Sequence, residues 1–103
     1  MSGCMYILEC SNAKYYTGST IDLWYRLWQH YNGEASNYTR RHLPVKLVYM
    51  EPYPDIQTAF EREKQVQGWS RKKKEALIKE LYAKLPELSR NYKEFGKPKS
   101  DGS

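Results

Sequence analysis

Arg26 and His30, in the stretch "DLWYRLWQH", stand four residues apart. On a helix that spacing places a permanent cation and an imidazole on one face, a single turn from each other. The strand-like runs before them, "CMYILEC" and "YYTG", each carry a tyrosine, Tyr6 and Tyr16. Taken singly, Arg26 fits a stem lying along a core margin and His30 fits a ring bonded to a backbone group. As a pair aimed back at two tyrosines, they fit a polar site equally well. A carboxylate adds to the pattern further on, in "AFEREKQVQ". At about 100° per residue, Ala59, Phe60, Val66 and Gln67 span an arc from about 340° to about 100°, and Glu63 falls near its centre at about 40°. Glu61, at about 200°, faces solvent on the same reckoning. An ionised carboxylate within an apolar face needs a cation. For Glu63 that cation is either a lysine or arginine of the fold, Arg26 among the candidates, or a hard divalent ion, which favours oxygen ligands. The pattern leaves both open.

Two basic runs lie outside this group, "YTRRH" with Arg40 and Arg41, and "RKKK" with Lys72 and Lys73. The chain carries 17 Lys and Arg against 12 Asp and Glu, a formal charge of +5 that suits a polyanion or an anionic membrane surface. No apolar run approaches the ~20 residues that cross a bilayer, and the N-terminus lacks a secretory pattern, so a cytoplasmic protein is expected. Cys4 and Cys10, six positions apart along one strand, would stand roughly 20 Å from each other, too far for a disulfide. With only His30 and His42 besides, a structural zinc has no ligand set. Ten Tyr and three Trp against two Phe give most rings a polar tip, which strands and interfaces use commonly.

These residues must be positioned by a small number of elements. "CMYILEC" and "YYTG" around Ser11, Asn12 and Ala13 predict a hairpin. Ser19 or Thr20 then caps a helix that closes at Asn32 and Gly33. Its apolar arc, from about 0° to about 140°, holds Leu23, Leu27, Tyr31, Trp24 and Trp28 as core, with Arg26 and His30 at its edge, bordering the sheet. The segment "GEASNYTRRHLP" reads as a polar loop, "VKLVYM" as a third strand, and "EPYPD" as a connection into a helix that begins between Asp55 and Thr58 and ends at Gly68. Ser70 caps a further helix, stopped by Pro86, and residues 86–95, "PELSRNYKEF", add a short helical turn. The tail from Gly96 has no apolar content and should be disordered. The predicted fold is α/β in the α+β sense: a small three-stranded antiparallel sheet flanked by helices, in the order β-β-α-β-α-α. One domain over residues 1–95 is expected, with residues 96–103 as tail.

Over roughly residues 4 to 85 the chain resembles the GIY-YIG nuclease superfamily. Cys4-Met5-Tyr6 stands where that family has Gly-Ile-Tyr, and Tyr16-Thr17-Gly18 where it has Tyr-Ile-Gly. Arg26 matches the family's helical arginine, His30 a histidine four residues later, and Glu63 the metal-binding glutamate. The runs "YTRRHLPVKLVYME" and "GWSRKKKEALI" are similar to its small stand-alone, single-domain branch. Cys4 and Thr17 are the departures.

The resemblance implies a metal-dependent endonuclease hydrolysing phosphodiester bonds, in DNA more than RNA, with no obligate protein partner and no membrane. Tyr6, Tyr16, Arg26, His30 and Glu63 would then be the catalytic set. Glu63 would hold one Mg²⁺ or Mn²⁺, because no second carboxylate shares its inward position. Arg26 offers a planar fork to the scissile phosphate. Tyr6, Tyr16 and His30 all stay open as the general base, since a phenol of pKa about 10 needs help in that role. Arg40, Arg41, Lys72 and Lys73 are expected on the nucleic-acid backbone, which positions without reading sequence. Two alternatives use the same fold. A non-catalytic nucleic-acid-binding module would follow from Cys4 replacing the glycine. A protein-interaction adaptor would leave Glu63 without a reason.

Overall fold

The run Gly3–Glu9 is apolar on both of its alternating faces, and it becomes the central strand β1, buried from Gly3 to Leu8. It pairs antiparallel with β2 (Tyr15–Thr20) on one side and β3 (Lys46–Tyr53) on the other, giving the sheet order β2-β1-β3. The computed structural model describes residues 2–81. The chain divides into two compact units, Met1–Arg71 and Lys72–Ser103. The first holds the sheet with α1 (Leu23–Tyr31), α2 (Asn37–Arg41) and α3 (Ile56–Gln67). The described part of the second is helical to residue 81, continuing a helix that starts at 71, directly after Ser70. The three-stranded antiparallel α+β architecture is the predicted one, with a five-residue helix, α2, added inside the segment read as a polar loop. Pro86, the turn expected over residues 86–95 and the tail 96–103 lie outside the described residues.

The hairpin turns where expected. Cys10 and Lys14 close it through an N–H to carbonyl bond of 2.9 Å, and Ala13 takes φ 67°, a left-handed conformation that costs an L-residue about 1–2 kcal/mol. Arg71 donates to the Ala13 carbonyl and lies over the Tyr15 ring at 4.6 Å, which fastens the turn. The cap of α1 is Asp22, whose carboxylate accepts from the Tyr25 N–H at 3.1 Å, and not Ser19 or Thr20. Pairing with β1 keeps both of those extended, Ser19 against Met5 and Thr20 against Cys4, so the first carboxylate beyond the strand caps instead. Asp55 caps α3 through the Thr58 N–H at 2.7 Å, and Gly68 ends it. Cys4 and Cys10 are buried free thiols. No helix among the described residues is long and apolar enough to cross a membrane.

One correction matters for function. Of the α1 residues assigned to the core, Leu27 is buried and Leu23 partly so, but Trp24 is 76% exposed and Trp28 and Tyr31 about half exposed. His30, placed at the edge of the stripe, is 1% exposed. The inward face is therefore turned from the tryptophans toward Arg26 and His30. A histidine can take a core position when both ring nitrogens find partners, and here they do.

A second correction concerns the cation expected at Glu63. Among the described residues it is Glu51 that meets an arginine: Arg62 grips it bidentately at 2.9 and 3.1 Å, and the Tyr49 and Tyr53 hydroxyls add bonds of 2.5 and 2.6 Å. Burial pushes the Glu51 carboxyl up, but Arg62 and the two phenols outweigh it and hold the group below its usual range. This cluster ties α3 to β3. It leaves Glu63 free of any ion pair among the described residues.

Candidate active site

Tyr6 sits on the central strand directly opposite Gly18 on β2. Its ring lies across the glycine so closely that a Cβ there would stand 2.5 Å from both Cζ and the phenol oxygen. The glycine is required for space, and the space lets the Tyr6 hydroxyl reach His30 Nε2 at 2.8 Å. Gly18→Ala should therefore destabilise the protein by about 1–3 kcal/mol, as overpacking does, and dislodge Tyr6. Urea unfolding checks this; a wild-type midpoint would mean that the ring moves aside without cost.

His30 comes to the same place from α1. The Tyr6 and Tyr16 rings meet it edge-on, with centroids 5.7 and 5.2 Å away, and its Nδ1 lies 3.0 Å from the Thr39 hydroxyl of α2. Burial, then the neighbouring Arg26 charge, holds its pKa down to about 4, so the ring is neutral near pH 7. Burial and then the nearby Tyr16 push the Tyr6 phenol well above its ordinary value; Arg26 opposes the rise and Glu63 adds to it. Arg26 and Glu63 thus both act on Tyr6 through their charge. The Arg26 guanidinium makes no hydrogen bond or ion pair among the described residues.

Glu63, partly buried on α3, is held by two neutral donors. The Ser19 hydroxyl gives 2.6 Å to Oε1 and the Gln67 amide 2.8 Å to Oε2. Each oxygen keeps a lone pair for something further. No group of three or more His, Cys, Asp or Glu that could hold a metal exists among the described residues. The donor set fits a hard ion that keeps most of its water and takes one protein carboxylate. Arg40 and Arg41 are exposed on α2 next to Thr39, with Arg40 bonded to Asn37 at 3.0 Å. Lys72 and Lys73 are exposed near the start of the helix that enters the second unit.

The ordered set of Tyr6, Tyr16, Arg26, His30 and Glu63 can be compared with known proteins. The family model of the GIY-YIG catalytic domain matches residues 2–84. The chain belongs to the GIY-YIG family. It is 42% identical over 76 residues to a UPF0213 protein of Streptococcus sanguinis, covering 74% of this chain and 87% of that one. It is 40% identical to a UPF0213 protein of Haloquadratum walsbyi, covering 74% and 85%. The solution NMR structure of a UPF0213 protein from Bacillus halodurans superimposes with a TM-score of 0.51 at 38% identity, covering 77% of this chain and 84% of that one. The candidate site of this GIY-YIG chain also includes residues that the sequence did not single out. Ser19 and Gln67 orient Glu63, and Thr39 holds His30. Thr39 stands between exposed Tyr38 and Arg40 in a polar segment, and hydropathy gives no sign that it is fully buried. Ser19 carried a weak signal, lying next to the Thr-Gly that ends the second motif.

Proposed function

We propose that this GIY-YIG protein is a metal-dependent endonuclease that hydrolyses phosphodiester bonds in nucleic acid, with DNA as its principal substrate. The observation that carries the reading is the 2.8 Å bond between the Tyr6 hydroxyl and a buried, neutral His30, beside an Arg26 guanidinium with no acidic partner among the described residues. A phenol whose pKa is raised by burial does not rest as phenolate, so it cannot act by simple deprotonation in advance. It can pass a proton along. As Tyr6 takes a proton from the attacking water, its own proton moves to His30 Nε2, leaving an imidazolium while the water's oxygen bonds to phosphorus, the bond from phosphorus to the leaving oxygen breaks, and that oxygen takes a proton from solvent. This requires Nε2 to be the unprotonated nitrogen of the neutral ring.

Arg26 would pair with the phosphate oxygens, where its fork counts most as negative charge develops. Tyr16 braces the His30 ring and keeps a partly exposed side chain for phosphate contact. Glu63, oriented by Ser19 and Gln67, would hold one Mg²⁺ or Mn²⁺. When bound, such an ion supplies positive charge for the phosphate and the leaving oxygen.

Arg40 and Arg41 on α2, and Lys72 and Lys73 in the second unit, are proposed to touch the nucleic-acid backbone. Neutralising one should weaken binding uniformly across sequences and flatten the slope of log K against log[salt] by about 0.7 to 0.9 for each phosphate no longer neutralised. Titrations at several salt concentrations check each residue, and an unchanged slope assigns it to the solvated surface.

The test of the activity is incubation with plasmid, branched and single-stranded substrates, in Mg²⁺ or Mn²⁺ against chelator, beside Glu63→Gln. Strand breaks that need both metal and Glu63 support the reading. Substrate binding without any breaks would assign a binding module on the same fold.

A further inference from the structure

The His30 ring is held from both sides, and the second contact has no part in the five-residue set. Thr39 is fully buried on α2, and its hydroxyl lies 3.0 Å from His30 Nδ1. The same oxygen lies 2.9 Å from the Ser36 hydroxyl and 3.4 Å from the Ser36 carbonyl, and the Ser36 hydroxyl already accepts the Thr39 N–H at 3.1 Å. A threonine hydroxyl has one proton to give and two lone pairs to fill. A neutral imidazole has one N–H and one acceptor nitrogen.

Two arrangements satisfy these rules locally. In the first, Tyr6 donates to Nε2, Nδ1–H donates to Thr39, and Thr39 donates to Ser36. Every proton then has an acceptor, and the Ser36 hydroxyl, partly exposed, can give its own proton to water. In the second, all directions reverse. Thr39 donates to Nδ1, Nε2–H donates to Tyr6, and the Tyr6 proton must leave a side chain that is 2% exposed without an acceptor among the described residues. An unmet buried donor is costly, so the first arrangement prevails before substrate and its attacking water arrive, and it leaves a Tyr6 lone pair open to accept from that water.

We infer that Thr39 is a positioning residue: its hydroxyl accepts the Nδ1 proton of His30, fixes the ring in that tautomer, and thereby turns Nε2 into the acceptor for the Tyr6 proton. The catalytic consequence rests on the nuclease reading given above; the tautomer does not. When Nε2 receives the Tyr6 proton, Nδ1 already carries one, and Thr39 stabilises the resulting imidazolium without itself gaining or losing a proton. The short helix α2 thus matters to the chemistry through a residue that does not touch substrate. Ser36 acts one step further out, capping α2 and accepting the hydrogen bond that the Thr39 hydroxyl donates.

The test reads the ring nitrogens directly. The full chain has only two histidines, so long-range proton–nitrogen correlation spectra of ¹⁵N-labelled protein separate His30 from His42 with one His42→Gln control. The wild type should show a protonated Nδ1 and an acceptor Nε2. Thr39→Val, close in shape but without the hydroxyl, should give a mixed or Nε2–H ring, and Thr39→Ser should restore the wild-type pattern. On a cleaved substrate, Thr39→Val should lose about tenfold or more in kcat with KM little changed, and the serine variant should recover it. A wild-type ring protonated at Nε2 would overturn the inference, and this measurement needs no variant that could misfold. A Thr39→Val ring with the wild-type tautomer would overturn it as well. If the spectra follow the expected pattern while no substrate is cut, the positioning role stands and the nuclease reading fails.

Discussion

Arg26→Ala should lower turnover by roughly 100-fold or more while leaving most nucleic-acid affinity in place. The guanidinium forms no ion pair among the described residues, so its removal breaks no ion pair there, and an effect on folding is expected to be small. What it removes is charge beside two groups of the site. Burial is the larger cause of the low His30 pKa, but Arg26 contributes to it, and the same charge opposes the rise at Tyr6. In Arg26→Ala the His30 pKa should move up from about 4, and the acid limb of the pH–rate profile should move to higher pH with it. Arg26→Lys keeps a charge but not the planar fork, so it should recover only part of the loss. Steady-state cleavage across pH for the three proteins measures both effects. Wild-type turnover in Arg26→Ala would remove the arginine from the chemistry.

The strands, the hairpin and α3 were legible in the sequence because their signals are local. A short apolar run marks β1, Ser11 to Ala13 mark the turn, and Asp55 and Gly68 bracket α3. The face of α1 was legible only in part. Hydropathy ranks Trp24, Trp28 and Tyr31 as core, yet the fold leaves them exposed, with Tyr25 and Trp28 stacked on each other 5.9 Å apart, and turns His30 inward. The choice depends on Tyr6 and Thr39, residues 24 and nine positions away, which satisfy the ring and so remove the cost of burying it. No window along α1 contains that information. The same holds for the two glutamates. Periodicity found Glu63 on the inward face of α3, but the arginine of that helix, Arg62, pairs with Glu51 of β3 instead, a partner 11 positions away in the chain. The short helix α2 escaped because five residues have too little periodicity to stand out from a polar loop.

The neutral surroundings of Glu63 decide the last expectation, a comparison of Glu63→Gln with Glu61→Gln. Glu63 is partly buried and bonded to Ser19 and Gln67, both neutral. A glutamine there keeps the shape and can still accept from Ser19; it loses the bond from Gln67 unless one amide turns over. Without metal, Glu63→Gln should therefore change stability by no more than about 1 kcal/mol in either direction. With metal the two variants part. Saturating a wild-type site at about 100 times its Kd adds about 2.7 kcal/mol to folding, and that gain should vanish in Glu63→Gln together with cleavage. Glu61, exposed and bonded only to Gln57 among the described residues, should respond to substitution by about 0.5 kcal/mol or less and keep both the metal effect and the activity. Thermal unfolding of the three proteins, with Mg²⁺ or Mn²⁺ and with chelator, separates the cases. A metal-induced shift that survives in Glu63→Gln would place the ion elsewhere. A loss of several kcal/mol without metal would make Glu63 a structural carboxylate, because neutral donors alone would not then account for what it contributes.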